Sequence, residues 1–301
     1  MSKFTIYFLD VGHGDCSYLE LPNGAKMMID CGGDQNWPSR LLRHYNVSQL
    51  DKLVISHPHG DHISDIEAIC DDIKFTWLVG AYGSCIDKIS DKIDSRKDRE
   101  GAVKKFVEVV NKYVGPYDES RDKVAQAKPD CLVACDRFFG FDEKMDLNDW
   151  SWFSSISFSG HKVLFTGDMT AKGVRQILES NKADAFKKFV EGTTILKVPH
   201  HGRINGCSEE LMELFGEKPL LCIISDKPID DQNQNTANTS WYTQRTNDEE
   251  IKINGIMQSR KVLTTRSDGD IYLGVLDSGE IEVVTNCFSQ IKSEILGGVG
   301  V

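Results

Sequence analysis

The segment Ser56-His57-Pro58-His59-Gly60-Asp61-His62 constrains what this chain can fold into more than any other. Three of the protein's eight histidines fall within it, with a carboxylate between the second and the third. So many good metal ligands in so short a space need a backbone that aims them into one cleft. Asp51 to Ser56, before them, reads as a buried strand, and Ile63 to Cys70, after them, has the spacing of an amphipathic helix. The cluster is therefore predicted on a strand-to-helix loop. His57 and His59 are two apart on extended chain, so their rings can point the same way and grip one metal. Asp61 and His62 lie a turn further on and face a different point, which suits a second metal. Two metals about 3.5–4 Å apart are a standard device for activating a water and stabilising a leaving oxygen.

Such a site needs more ligands, and two later segments offer them. Val163 to Phe165 reads as a strand running out into Thr166-Gly167-Asp168. A Gly-Asp pair after a strand is commonly just a turn, but beside the first cluster Asp168 becomes a candidate bridging carboxylate. Thr194 to Pro199 is a further apolar strand, ending in His200-His201-Gly202. Two histidines at a strand end, taken with the first cluster, point to a ligand role.

In this order, the residues His57-x-His59-x-Asp61-His62, Thr166-Gly167-Asp168 and Pro199-His200-His201-Gly202 resemble the metallo-β-lactamase superfamily. The resemblance implies a four-layer αβ/βα sandwich of the α/β (α+β) class with a dinuclear site at the edge between two sheets. It implies that His57 and His59 bind the first metal, that Asp61 and His62 bind the second, and that Asp168 bridges. His201 is the expected last ligand, and His200 then either supports a ligand from outside or faces substrate. A finer resemblance, to the hydrolase domain of ComEC-type DNA-uptake proteins, rests on Phe8-Leu9-Asp10-Val11-Gly12-His13-Gly14-Asp15, on Met28-Ile29-Asp30-Cys31-Gly32-Gly33, on Leu196 to Gly202 and on Val262 to Ile271. These matches span residues 4 to about 276 but leave the stretch 83–147 uncovered.

There are departures. His13 stands where that branch usually has Gln. No histidine occurs between residues 63 and 160, so the third first-metal histidine of most of the superfamily is missing. Asn148 or Asp149 is the expected oxygen substitute. An oxygen-rich site tolerates manganese better, so two divalent ions, Zn²⁺ or Mn²⁺, are expected.

The expected reaction is attack of a metal-activated hydroxide on phosphorus or a carbonyl carbon. Asp61 and His200 are the catalytic candidates, His200 as the group that protonates a leaving alkoxide. Asp30 is expected to orient a liganding histidine. Asp15 is expected to cap its turn by bonding backbone N–H groups. His13 is left beside the ligands, and Arg203 as a phosphate contact. DNA is the first expected substrate. A small phosphodiester or cyclic nucleotide is the second, since 35 basic against 46 acidic residues, a net charge of −11, repels a long polyanion. A third reading is a metallohydrolase subunit controlled by a protein partner.

One domain over residues 1–301 is expected, with 83–147 as a charged, largely helical insertion. Its 13 Lys or Arg against 14 Asp or Glu leave it nearly neutral. Within it, Val103, Phe106, Val109, Val110 and Tyr113 have helical spacing. Residues 227–250 read as a polar loop in which Trp241, Tyr242 and Arg245 stand out as stacking candidates. The glycine-rich tail from Leu296 is expected to fray or to meet a partner. No apolar run approaches the length of a membrane span, and the start lacks a signal peptide's apolar centre. With nine cysteines and no C-x-x-C pair, reduced thiols in the cytoplasm are expected.

Overall fold

A computed structural model describes residues 3–80, 101–112, 117–139, 146–227 and 237–297. Two mixed sheets face each other. The first has nine strands in the order β12 (Ile256–Gln258), β11 (Ile251–Ile253), β15 (Ile281–Val284), β14 (Ile271–Leu276), β1 (Lys3–Phe8), β2 (Cys16–Glu20), β3 (Lys26–Cys31), β4 (Gln49–Val54) and β5 (Lys74–Val79). The second has six, in the order β13 (Val262–Thr264), β10 (Leu221–Ile224), β9 (Ile195–Lys197), β8 (His161–Phe165), β7 (Phe153–Phe158) and β6 (Cys131–Asp136).

Side chains of both sheets, among them Phe8, Ile29 and Val54 from the first and Phe165, Ile195 and Ile223 from the second, form the central core. On the outer face of the first sheet lie the helices Trp37–His44, Ile66–Asp72 and Ala102–Lys112, which bury Leu41, Ile69 and Phe106 against it. The helices Ala171–Leu178, Ala183–Val190 and Glu209–Glu213 cover the second sheet with Ile177, Phe186 and Leu211. The result is helix, sheet, sheet, helix, the αβ/βα sandwich. Each helix owes its place to one apolar stripe. A fully buried Phe106, for example, contributes about 1.5–3 kcal/mol relative to an exposed one.

Strand direction places the site. Strands β3, β4 and β5 run parallel, as do β8, β9, β10 and β13. Asp30 near the end of β3, and Ser56, Asp168, His200 and Ser225 just beyond the ends of β4, β8, β9 and β10, therefore stand on one rim. The loop expected after β4 is partly helical, since Asp61 and His62 occupy a single turn, Gly60–Ile63.

Three expectations change. Residues 131–136, assigned from the sequence to a helical insertion, form strand β6 against β7. Cys131, Val133 and Cys135 are more buried than the exposed Leu132, Ala134 and Asp136, a period of two that carries strand character. The polar stretch 227–250 is not all loop, because Thr239–Thr243 is a short helix. In it Tyr242 is buried with its hydroxyl donating to the Gly206 carbonyl at 3.4 Å. Arg245 lies 3.9 Å above the Trp241 ring and is ion-paired with Glu209. These contacts pin the segment to the second sheet's helices. Thirdly, the Asp15 carboxylate meets a buried lysine rather than its own turn, as described below. Tyr113 and the last four residues of the tail lie outside the described residues. Every described cysteine is a free thiol, and no helix among the described residues is long and apolar enough to cross a membrane.

Candidate metal centre

The chain's potential ligands converge from three loops. Asp61 and His62 come from the turn after β4, Asp168 from the turn after β8, and His201 from the turn after β9. One donor atom from each lies within 4.8 Å of the others. His62 Nε2 is 3.2 Å from Asp168 Oδ1, and His201 Nε2 is 3.4 Å from Asp61 Oδ2 and 3.7 Å from Asp168 Oδ2. Metal–ligand bonds of about 2.0–2.1 Å at tetrahedral angles set neighbouring donors roughly 3.4 Å apart. The spacing therefore fits a divalent ion.

On the other side of Asp168, His57 Nε2 lies 2.9 Å from His59 Nδ1 and 3.8 Å from Asp168 Oδ2. Two imidazole nitrogens thus face a common point beside a carboxylate oxygen. No described residue supplies the missing third imidazole. Asp149 Oδ1 accepts from the Thr170 backbone N–H at 3.0 Å and the Thr170 hydroxyl at 2.7 Å. These bonds fix the turn after Asp168. Asn148 is buried, and its Oδ1 has no hydrogen-bond partner among the described residues.

Buried polar atoms normally find partners. His62 Nε2, His201 Nε2 and Asp168 Oδ1 are buried without a hydrogen-bond partner among the described residues. All three face the same centre, and a cation is what they suit. The rings are held so that these nitrogens carry the lone pair. His62 Nδ1 donates to Asp30 Oδ2 at 2.8 Å, and His201 Nδ1 donates to the Ser225 carbonyl at 3.0 Å. The Ser56 hydroxyl donates to Asp30 Oδ2 at 2.7 Å and lies 3.1 Å from His57 Nδ1. Such outer contacts fix tautomer and ring orientation. Asp30 holds its position at a φ of 57°, and its Oδ1 accepts from the Ser56 N–H at 2.7 Å.

Charge follows from this packing. Burial, then His62 and His59, hold His57 well below the usual imidazole range. Burial also lowers His59. On His62 burial opposes the charge, but Asp168 and Asp30 outweigh it and raise the pKa well above the usual range. His201 is raised against its own burial by Asp168 and Asp61. Burial opposes ionisation of Asp61 and Asp168 as well, yet the surrounding histidines keep both well below the ordinary carboxylate range.

The neighbouring histidines separate in role. His201 sits at the centre. His200 Nε2 is 3.9 Å from Asp168 Oδ2, and its ring is lowered by burial. Both adopt positive φ, 49° and 52°, which fans two adjacent side chains apart. His13 Nε2 lies 3.3 Å from Asp61 Oδ2 and 3.3 Å from an Arg203 nitrogen, so these two residues line the same side. Three participants were not singled out in the sequence: Ser56, Ser225 and Lys197. Lys197 had a signal, a charged residue inside an apolar strand.

Residues 9–132 match the family model described as Metallo-beta-lactamase superfamily. ComE operon protein 3 of Bacillus subtilis (strain 168) is 22% identical over 247 residues, which cover 74% of this chain and 28% of that protein. The chain thus spans little more than a quarter of this curated relative. Among solved structures, the metallo-beta-lactamase fold protein YhfI from Bacillus subtilis is 12% identical with a TM-score of 0.44, covering 87% of this chain and 97% of that one. A long form RNase Z from yeast is 12% identical with a TM-score of 0.38, covering 79% and 40%. None of these likenesses assigns a substrate. The αβ/βα sandwich with candidate ligands at its sheet edge is the metallo-β-lactamase fold, and the chain resembles that superfamily over residues 9–132 and, more distantly, the hydrolase domain of ComEC-type DNA-uptake proteins.

Proposed function

We propose that the protein is a phosphodiesterase that uses two divalent ions, and that DNA is its first substrate to test. The observation that carries this reading is the arrangement of His57 and His59 on one side of Asp168 and of Asp61, His62 and His201 on the other. When bound, such ions supply Lewis acidity and an acidified water. The rest falls to the chain. Asp30, Ser56 and Ser225 hold the histidine rings in register, so the site costs little reorganisation during reaction. His200, beside Asp168 and low in pKa through burial, is placed to exchange a proton with a leaving alkoxide. Arg203 and His13, on the Asp61 side, supply a donor pair for a non-bridging phosphate oxygen.

The DNA reading rests on the likeness to ComEC-type hydrolase domains. The net charge of −11 supports a second reading, a small phosphodiester or cyclic nucleotide, because a long polyanion is repelled where a compact one is not. A partner-controlled subunit is the third. The test is incubation of pure protein with Mn²⁺ or Zn²⁺ and, separately, linear DNA, circular DNA, RNA and a cyclic dinucleotide. The first reading expects DNA cleavage that His59→Ala abolishes. Cyclic-dinucleotide turnover without DNA cleavage would overturn it in favour of the second. Full activity in His59→Ala would refute the two-metal centre itself.

A further inference from the structure

Lys197 sits in β9 between Leu196 and Val198 and is only 2% exposed. An ammonium in such a place needs a partner, and it has one 182 residues away, the carboxylate Oδ2 of Asp15. Buried ion pairs give little net stability against neutral side chains of similar volume. Folding alone therefore does not account for this pair, and its surroundings suggest another role.

Asp15 is bonded in several directions at once. Its N–H donates to the Asp61 carbonyl at 3.0 Å, and its own carbonyl accepts from the Gly32 N–H at 2.9 Å. Both contacts lie on the first sheet's side of the cleft. Its carboxylate accepts from Lys197 and, through Oδ1, from the Ser225 hydroxyl at 3.4 Å, both on the second sheet's side. Ser225 in turn offers its carbonyl to His201 Nδ1. One residue thus connects the backbone of Asp61 to the strand that leads to His201 and to that ring's own acceptor. Asp61 and His201 are candidate ligands from opposite sheets, and their donor atoms stand 3.4 Å apart.

We infer that Asp15 and Lys197 form a positioning clamp across the sandwich that sets the separation of Asp61 and His201 and thereby the affinity of the ion these residues hold. The inference rests on the metal-centre reading above. Neither residue belongs to the group Asp61, His62, Asp168 and His201 that would hold the ion. Losing the clamp leaves every ligand present but lets the two sheets' rims relax relative to each other.

The test compares Asp15→Asn/Lys197→Met with the wild type. The double variant removes both charges, so no uncompensated charge is left buried. Binding of Mn²⁺ or Zn²⁺ is followed by titration calorimetry and bound-metal analysis, and folding by urea denaturation. The expected result is a near-wild-type unfolding midpoint with affinity for one of two ions reduced 10–100-fold, the range seen when outer-shell partners of a metal site are lost. Wild-type affinity for both ions in the folded double variant would overturn the clamp. If the double variant does not fold, Ser225→Ala decides, because it removes only one buried, uncharged hydroxyl between Asp15 and the carbonyl partner of His201. A several-fold loss of the same ion supports the clamp and unchanged binding refutes it. Wild type and His201→Ala keep the two ideas separate. Failure of the wild type to bind any ion defeats the metal centre, whereas loss of one ion in His201→Ala with no effect of the clamp variants defeats only the clamp.

Discussion

Asp65 lies three residues beyond His62 and is 1% exposed. Its Oδ2 accepts from the Ser39 N–H at 2.7 Å and its Oδ1 from the Ser39 hydroxyl at 3.0 Å. It thereby caps the first turn of the helix Trp37–His44 while its own N–H bonds the Cys31 carbonyl at 2.9 Å. Burial pushes its pKa up to about 7 from 3.8, against the opposing pull of the Ser39 bonds. That difference, at 1.36 kcal/mol per unit, corresponds to roughly 4 kcal/mol. The folded pKa exceeds the unfolded one, so the folded state binds the extra proton. The group's stabilisation is complete below the unfolded value and fades as pH rises through about 7. Asp65→Asn keeps an acceptor for the Ser39 N–H and removes the titration. The variant should therefore gain on the wild type with rising pH, by roughly 3 kcal/mol more at pH 8 than at pH 5. Urea denaturation at a series of pH values measures this directly. Parallel stability curves, separated by a constant offset at every pH, would refute the reasoning.

Other consequences follow from single contacts. Lys52 Nζ is 2.5 Å from the fully buried Asp122, so Lys52→Met should destabilise by about 3–5 kcal/mol by stranding that carboxylate; a loss under 1 kcal/mol in urea denaturation would contradict this. A Cβ on Gly32 would lie 1.7 Å from the Asp61 carbonyl oxygen. Gly32→Ala should therefore push the Asp61 turn out and weaken metal binding at least tenfold by calorimetry, and wild-type affinity would show that the turn is not held there. Neighbouring carboxylates raise the pKa of His62 and His201 against their burial, so a proton competes with an ion for these rings. Metal binding should release protons and weaken as pH falls. Calorimetry in buffers of different ionisation enthalpy reads the release, and a buffer-independent enthalpy would refute it.

Much of the site was legible in the chain because metal ligation demands particular side chains at short, regular intervals. His57, His59, Asp61 and His62 stand together in sequence, and a strand before them and a helix after them are strongly patterned. Strand β6 was missed because the alternation of Cys131, Val133 and Cys135 lies inside a charge-dense stretch whose clearer signal was the helix around Phe106. The short helix at Thr239–Thr243 was missed because Asn, Gln and Thr dominate its surroundings and local propensity favours turns there.

The sequence by itself, through its resemblance to the metallo-β-lactamase superfamily, pointed to the sandwich and to a set of candidate ligands, because few other arrangements use these residue types at these spacings. Tertiary structure decided which of His200 and His201 takes the centre. That choice lies in two left-handed backbone conformations and in the Ser225 carbonyl, none of which has a local signature. It also decided that Asp15 pairs with Lys197 rather than capping its own turn. The partners are 182 residues apart and meet only because two sheets stack with the same rim upward. Periodicity reports which face of an element is buried, and says nothing about which distant element will cover it.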